Sequence, residues 1–193
     1  MLLAVLACAA CADSSVTPDA GACRIPLPIA DPDRFVFTPE AEDPFRPMGL
    51  DASVSSTTTR GRCGPLDVKA EDLGGSRSFS ITTLFCSWGT AETRALAAIA
   101  EGAPLKVRIW HFSHIKIQNA EARIVIAVEG RTLWETRVPL PTEGALLVDD
   151  FPAPFAIAKD AKILWHVANH GQNSWNFLTL ESSTEGECPA RSD

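Results

Sequence analysis

Every histidine of this chain falls in one of two tight groups, His111 with His114 and His166 with His170. Each group adjoins a copy of one short phrase: Leu105-Lys106-Val107-Arg108-Ile109-Trp110-His111-Phe112, and Lys162-Ile163-Leu164-Trp165-His166-Val167. Imidazole nitrogen is a good ligand for zinc or copper, and four would complete a tetrahedral shell. If the two phrases lie on paired strands, the groups approach each other, with His111 and His166 as the metal candidates. Strand geometry limits the set. Positions three apart point to opposite faces, so His111 and His114 serve one ion only if the strand ends between them. His166 and His170 share parity, but Gly171 marks a turn that begins by His170. Two or three histidines are the most this spacing supports. The plainer alternative makes His111 and His166 half-buried ring partners of the tryptophans, with each N–H satisfied by backbone or water.

A second constellation is the bend Asn169-His170-Gly171-Gln172-Asn173 followed by Trp175, with Trp88 and His114 as further members. Sugar recognition needs amides that donate and accept hydrogen bonds, and an aromatic face to stack on the apolar side of a ring. Asn169, His170, Gln172, Asn173, Trp175 and Trp88 are therefore the candidate ligand residues. The competing reading is local: Asn and Gly tolerate tight turns, and Trp175 is core. Catalysis has little to stand on. There is no Gly-x-Ser-x-Gly elbow, no phosphate-cradling glycine loop and no His-Glu-x-x-His. Asp149-Asp150 reads as a solvated turn or a calcium-friendly loop, and Glu121 and Glu135 as surface charges between strands. The expectation is a protein that is not an enzyme and carries no cofactor.

The elements that must hold these residues are short strands. Hydrophobic and β-branched alternation predicts strands over 76–88, 105–112, 122–129, 133–139, 146–149, 161–168 and 175–181, with a shorter one at 34–37. Gly130-Arg131 reads as a tight hairpin connection. Pro139, Pro141, Pro152 and Pro154 exclude central-strand positions around them. Residues 90–101, alanine-rich between Thr90 and Gly102, are the one helical candidate, against the alternative that a sandwich extends them. Short strands with turns every dozen residues indicate an all-β antiparallel sandwich. The turn Gly102-Ala103-Pro104-Leu105, the hairpin Gly130-Arg131-Thr132-Leu133-Trp134, and the polar bend before Trp175-Asn176-Phe177-Leu178-Thr179-Leu180 together resemble the galactose-binding-like jelly roll, over residues 76 to 182. Many carbohydrate-binding modules share that shape. The resemblance implies a glycan-binding jelly-roll sandwich and transfers no site residue.

The chain opens on a short apolar run, Met1 to Ala12, that ends in small residues and is too short to span a bilayer. It reads as a secretory segment and resembles the lipobox of bacterial lipoproteins, with Cys11 or Cys8 as the acylated residue. Lipidation of Cys11 leaves Cys23, Cys63, Cys86 and Cys188, an even number that suits two disulfides in an oxidising compartment. Cys63 with Cys86 and Cys23 with Cys188 is the expected pairing, though spacing alone does not choose it. The layout expected is a signal segment over 1–10, a proline-bearing tether over 11–32, a domain over 33–188 and a tail over 189–193. With 193 residues, 46% of them hydrophobic, the chain can bury one core. A formal charge of -7 with interspersed signs excludes a basic stripe and disfavours nucleic acid. These observations lead to a monomeric, lipid-anchored cell-envelope module that holds a glycan or an envelope protein. The alternatives are a structural envelope protein without small ligand and a His-liganded metal protein.

Overall fold

The computed structural model describes residues 23–38, 62–114, 120–168 and 174–186. These form eleven strands: β1 (Cys23–Ala30), β2 (Val36–Phe37), β3 (Val68–Leu73), β4 (Ser76–Thr82), β5 (Trp88–Arg94), β6 (Pro104–His111), β7 (Ala120–Val128), β8 (Arg131–Leu140), β9 (Ala145–Pro152), β10 (Lys162–Ala168) and β11 (Ser174–Gly186). The first sheet runs β3-β4-β11-β6-β9, with β1 also on β11; the second runs β2-β5-β10-β7-β8. Numbered from β4, the last eight strands lie in the orders first-eighth-third-sixth and second-seventh-fourth-fifth. That interleaving of two antiparallel layers is a jelly roll. The expected fold class therefore holds.

Several elements differ from expectation, each for a physical reason. The alanine-rich segment is no helix. Residues Trp88 to Arg94 pair along their whole length with β10, from Trp88 opposite Ala168 to Arg94 opposite Lys162. Ala91 and Ala95 face the core, and Ile99 pairs with Ile157 through two hydrogen bonds of 2.8 Å. Helix propensity differs by tenths of a kcal/mol per residue, roughly 0–0.7, and a central ladder position outweighs it. The strand expected over 76–88 stops at Thr82, because the chain turns out to bring Cys86 onto Cys63; Phe85 ends up 70% exposed.

The proline-bearing stretch also departs from the expected tether. Cys23 to Ala30 is a strand of the first sheet, antiparallel to the end of β11. Pro26 and Pro28 share parity and lie opposite Ser183 and Glu181. Two prolines of one parity fit a strand paired on one side, since their missing N–H groups can all fall on the free edge. Pro139 and Pro152 obey the same rule: β8 and β9 are the outer strands of their sheets.

Between the layers sits one core. Phe35, Phe79, Trp165 and Phe177 make its aromatic centre, with Phe35 4.9 Å from Phe177 and 5.2 Å from Phe79 between ring centroids. The β7–β8 hairpin turns on Glu129 and Gly130, both at positive φ (48° and 77°), the twist-matched two-residue turn, one position earlier than the sequence indicated. The Cys63–Cys86 disulfide is present, its Cα atoms 4.8 Å apart. Cys23 stands opposite Gly186, while Cys188, Cys8 and Cys11 lie outside the described residues.

Candidate functional site

The two Trp-His phrases are out of phase. On β6, Leu105, Val107, Ile109 and His111 are buried inward, and Lys106, Arg108 and Trp110 alternate outward. On β10, Ile163, Trp165 and Val167 are the inward residues, which leaves His166 on the outer face. A shift of one residue exchanges the faces of a strand, so similar words present opposite side chains to the core. The strands also belong to different sheets: β6 pairs with β11 and β9, β10 with β5 and β7. The expected pairing of the two segments is thus corrected. His111 lies inside the sandwich and His166 on the far side of the second sheet, so they cannot share a zinc or copper ion.

Each histidine described has a local partner. Trp175 is wholly buried and packs against two imidazoles, 4.9 Å from His111 and 5.4 Å from His114 between centroids. His111 Nδ1 lies 3.1 Å from the carbonyl oxygen of Phe112, which fits an N–H donating to that carbonyl. His114 is tied by its backbone to Thr142. Burial holds the pKa of both rings below the usual value, that of His114 down to about 4, with His111 adding repulsion. His166 Nδ1 contacts Thr90 Oγ1 at 2.8 Å, and its ring lies 5.9 Å from that of Trp88. Thr90 with His166 has the form of a nucleophile and base, but both are wholly buried.

The expected ligand set is therefore divided. Trp175 points into the core and has no face to offer a sugar, which corrects its expected role. Trp88, half-buried, lies on the second sheet, whereas Trp175 belongs to the first. Asn169, His170, Gln172 and Asn173 lie outside the described residues. Other polar candidates have structural duties. Asp149 accepts from Trp134 Nε1 at 2.8 Å, Asp150 pairs with Lys106 at 3.4 Å, and Glu121 pairs with Arg137 at 2.7 Å. Glu135 pairs with Arg123 at 2.8 Å, and that hydrogen bond holds its carboxyl below the usual range. Cys63, Asp67 and Cys86 place three ligand-type atoms within 4.8 Å, but both sulfurs are in the disulfide and Asp67 Oδ2 accepts from the Gly64 amide at 2.7 Å.

The outer face of the first sheet presents what the notable motifs do not. Trp110 is half-buried there, with Phe112 edge-on at 6.3 Å and 47% exposed. Asn176 lies opposite Trp110 on β11 and donates from Nδ2 to its carbonyl at 3.2 Å. Leu146 and Val148 of β9 stand opposite Trp110 and Arg108, and both are exposed. Further along the same face, Arg108 lies opposite Thr179 and helps line a groove of about 410 Å³. Attention to the repeated phrase hides this face. The alternation Lys106, Arg108, Trp110 against Val107, Ile109, His111 was the signal that could have found it.

No protein-family model matches the chain, and no curated protein does. Among solved structures it is similar to the N-terminal cellulose-binding domain of a β-1,4-glucanase from Cellulomonas fimi, at 14% identity and TM-score 0.41, over 64% of this chain and 93% of that one. It is likewise similar to a CBM6 module from Clostridium stercorarium in complex with cellobiose (12%, TM-score 0.37, 64% and 86%). A family 16 carbohydrate-binding module is a third (15%, TM-score 0.39, 59% and 84%). At such identities and scores the likeness assigns no function, and the grounds for one lie in this chain's own residues.

Proposed function

We propose that this chain is a non-catalytic glycan-binding module of the cell envelope, held to its membrane by a lipid on Cys11 or Cys8. The observation that carries the glycan reading is Trp110. It is an indole on an outward strand face, braced by Phe112 and set beside the exposed Leu146 and Val148. Half-exposed aromatic surface in a sheet face suits the apolar side of a sugar ring, and nearby hydrogen-bonding groups fix its orientation. The absence of turnover is supported by the wholly buried Thr90–His166 pair and by carboxylates already engaged with Arg, Lys and Trp partners. The envelope address rests on the apolar opening of the sequence and on the Cys63–Cys86 disulfide, a bond of oxidising compartments. Among the described residues no helix is long and apolar enough to cross a membrane.

Trp110→Ala tests the glycan reading. Loss of a stacked indole face of this kind is worth about 1.5–3 kcal/mol, roughly ten- to hundredfold in affinity. Retention on a glycan array or in affinity electrophoresis is expected to fall by that amount, with the thermal midpoint little changed. Equal retention by variant and wild type would remove sugar from this face. A second reading then takes over, favoured by Leu146 (40% exposed) and Val148 (51% exposed) on the outermost strand of the sheet: docking of an envelope protein.

A further inference from the structure

β1 stands outside the eight-strand roll, and its end builds one wall of the groove beside Arg108. Along one side of β11 the ladder has two partners in succession. β4 pairs with it up to Phe177, and β1 takes over at Leu180. Leu178 and Thr179 fall in the gap, where β11 itself is irregular between Phe177 and Thr179, and β1 is irregular between Pro28 and Ala30. The groove opens at this break. Its volume of about 410 Å³ lies within the range of small-ligand sites, roughly 300–1,000 Å³.

The polar groups there are unevenly satisfied. Arg77 is held by Asp33, and Asp31 lies 3.7 Å from Arg34. Lys106 is paired with Asp150. Among the described residues Arg108 and Glu181, both lining the groove, have no ion-pair partner, and Thr179 Oγ1 is buried with no hydrogen-bond partner. The groove thus combines a group that only donates, a group that only accepts and a hydroxyl that does both. Pro28 and Leu178 add apolar surface. A ring bearing neighbouring hydroxyls meets all three demands at once. An acidic sugar would bring its carboxylate up against Glu181 and Asp31, and the unpaired charges of the groove cancel.

We infer that this groove is a second sugar subsite, taking one neutral, hydroxyl-bearing ring through Arg108, Thr179 and Glu181. The inference rests on the glycan reading of the same sheet face. Trp110 and Arg108 lie two residues apart on one face of β6, about 7 Å along the strand. A single oligosaccharide can therefore stack on the first and reach the second. β1 has a function in this arrangement: it supplies the wall that turns a break in the ladder into a site.

The test is a titration of the full chain, isotopically labelled for amide and indole NMR signals, with cellotriose, maltotriose and digalacturonate. A neutral trisaccharide is expected to shift the Trp110 indole together with the Leu178, Thr179 and Glu181 amides. Arg108→Ala and Thr179→Val should each weaken that sugar by roughly tenfold with unchanged thermal midpoints, as loss of one hydrogen bond to a charged or buried group implies. Movement at Trp110 alone, with both variants binding like wild type, would leave the glycan face standing and remove the groove. Tighter binding of digalacturonate at 178–181 would overturn the neutral class. No response to any of the three sugars would count against both subsites together.

Discussion

Trp175 shows how one residue's surroundings set its meaning. It packs against both His111 and His114 inside the sandwich, and no carboxylate or other acceptor among the described residues meets His114 Nε2. Burial penalises the imidazolium of His114, and His111 adds repulsion, so its pKa falls from an ordinary 6.5 to about 4. The sign of the consequence is fixed by linkage. The unfolded chain takes up the proton first, near pH 6.5, so stability is intact above that value. It is lost progressively as the pH falls toward 4, and the loss levels off below. At about 1.4 kcal/mol per pH unit the loss is on the order of 3 kcal/mol. Urea unfolding at pH 7, 5.5 and 4 should show this decline. His114→Phe, which keeps a neutral ring against Trp175, should flatten most of it, leaving a smaller slope from His111, whose pKa burial also lowers.

At the scale of elements, the disulfide holds the entry to β3 against the crossing from β4 to β5. Cys63 also donates its backbone N–H to the Trp88 carbonyl at 2.7 Å, and a Cβ on Gly89 would meet Ile81 at 2.9 Å and Cys63 at 3.2 Å. The staple therefore packs directly on the start of β5. Closing a loop with a sequence separation of 23 constrains the unfolded chain by about 3 kcal/mol. The double variant Cys63→Ser/Cys86→Ser should lose about that much in chemical denaturation. A reducing agent should destabilise the wild type more than the variant, which retains only the Cys23–Cys188 pair expected from the sequence. β5 also marks the limit of local reading. Alanine content and a capping threonine describe what residues 90–101 do alone, whereas the ladder of β5 with β10 decides what residues 90–94 do here.

For the whole molecule the decisive contacts join the two layers. Trp134 is on β8, outermost in the second sheet, and Asp149 on β9, outermost in the first; the Nε1–H of Trp134 donates to the Asp149 carboxylate at 2.8 Å. This bond closes one open side of the sandwich. Trp134→Phe keeps much of the apolar volume but leaves Asp149 without its donor. Asp149 is exposed, so water replaces part of the lost donor; the loss should be about 0.5–1.5 kcal/mol, the thermal midpoint falling by a few degrees while the strand content seen by circular dichroism stays the same. The layer architecture was legible from the strands at 105–112, 122–129 and 133–139. So were the outer positions of β8 and β9, from Pro139 and Pro152. The assignment of strands to sheets was not, and the pairing expected of the two Trp-His segments failed there.

The amino-acid order determined that the segments after residue 104 extend, where prolines bar central positions, and that one core would form. Those properties are local: side-chain parity, turn chemistry and missing donors act within a few residues. The tertiary structure decided which face each aromatic took. Trp110 and Trp165 occupy the same place in nearly the same words, yet one looks out from the first sheet and the other is sealed inside the second. Facing depends on register against a partner strand from a distant part of the chain, and no short phrase carries that information.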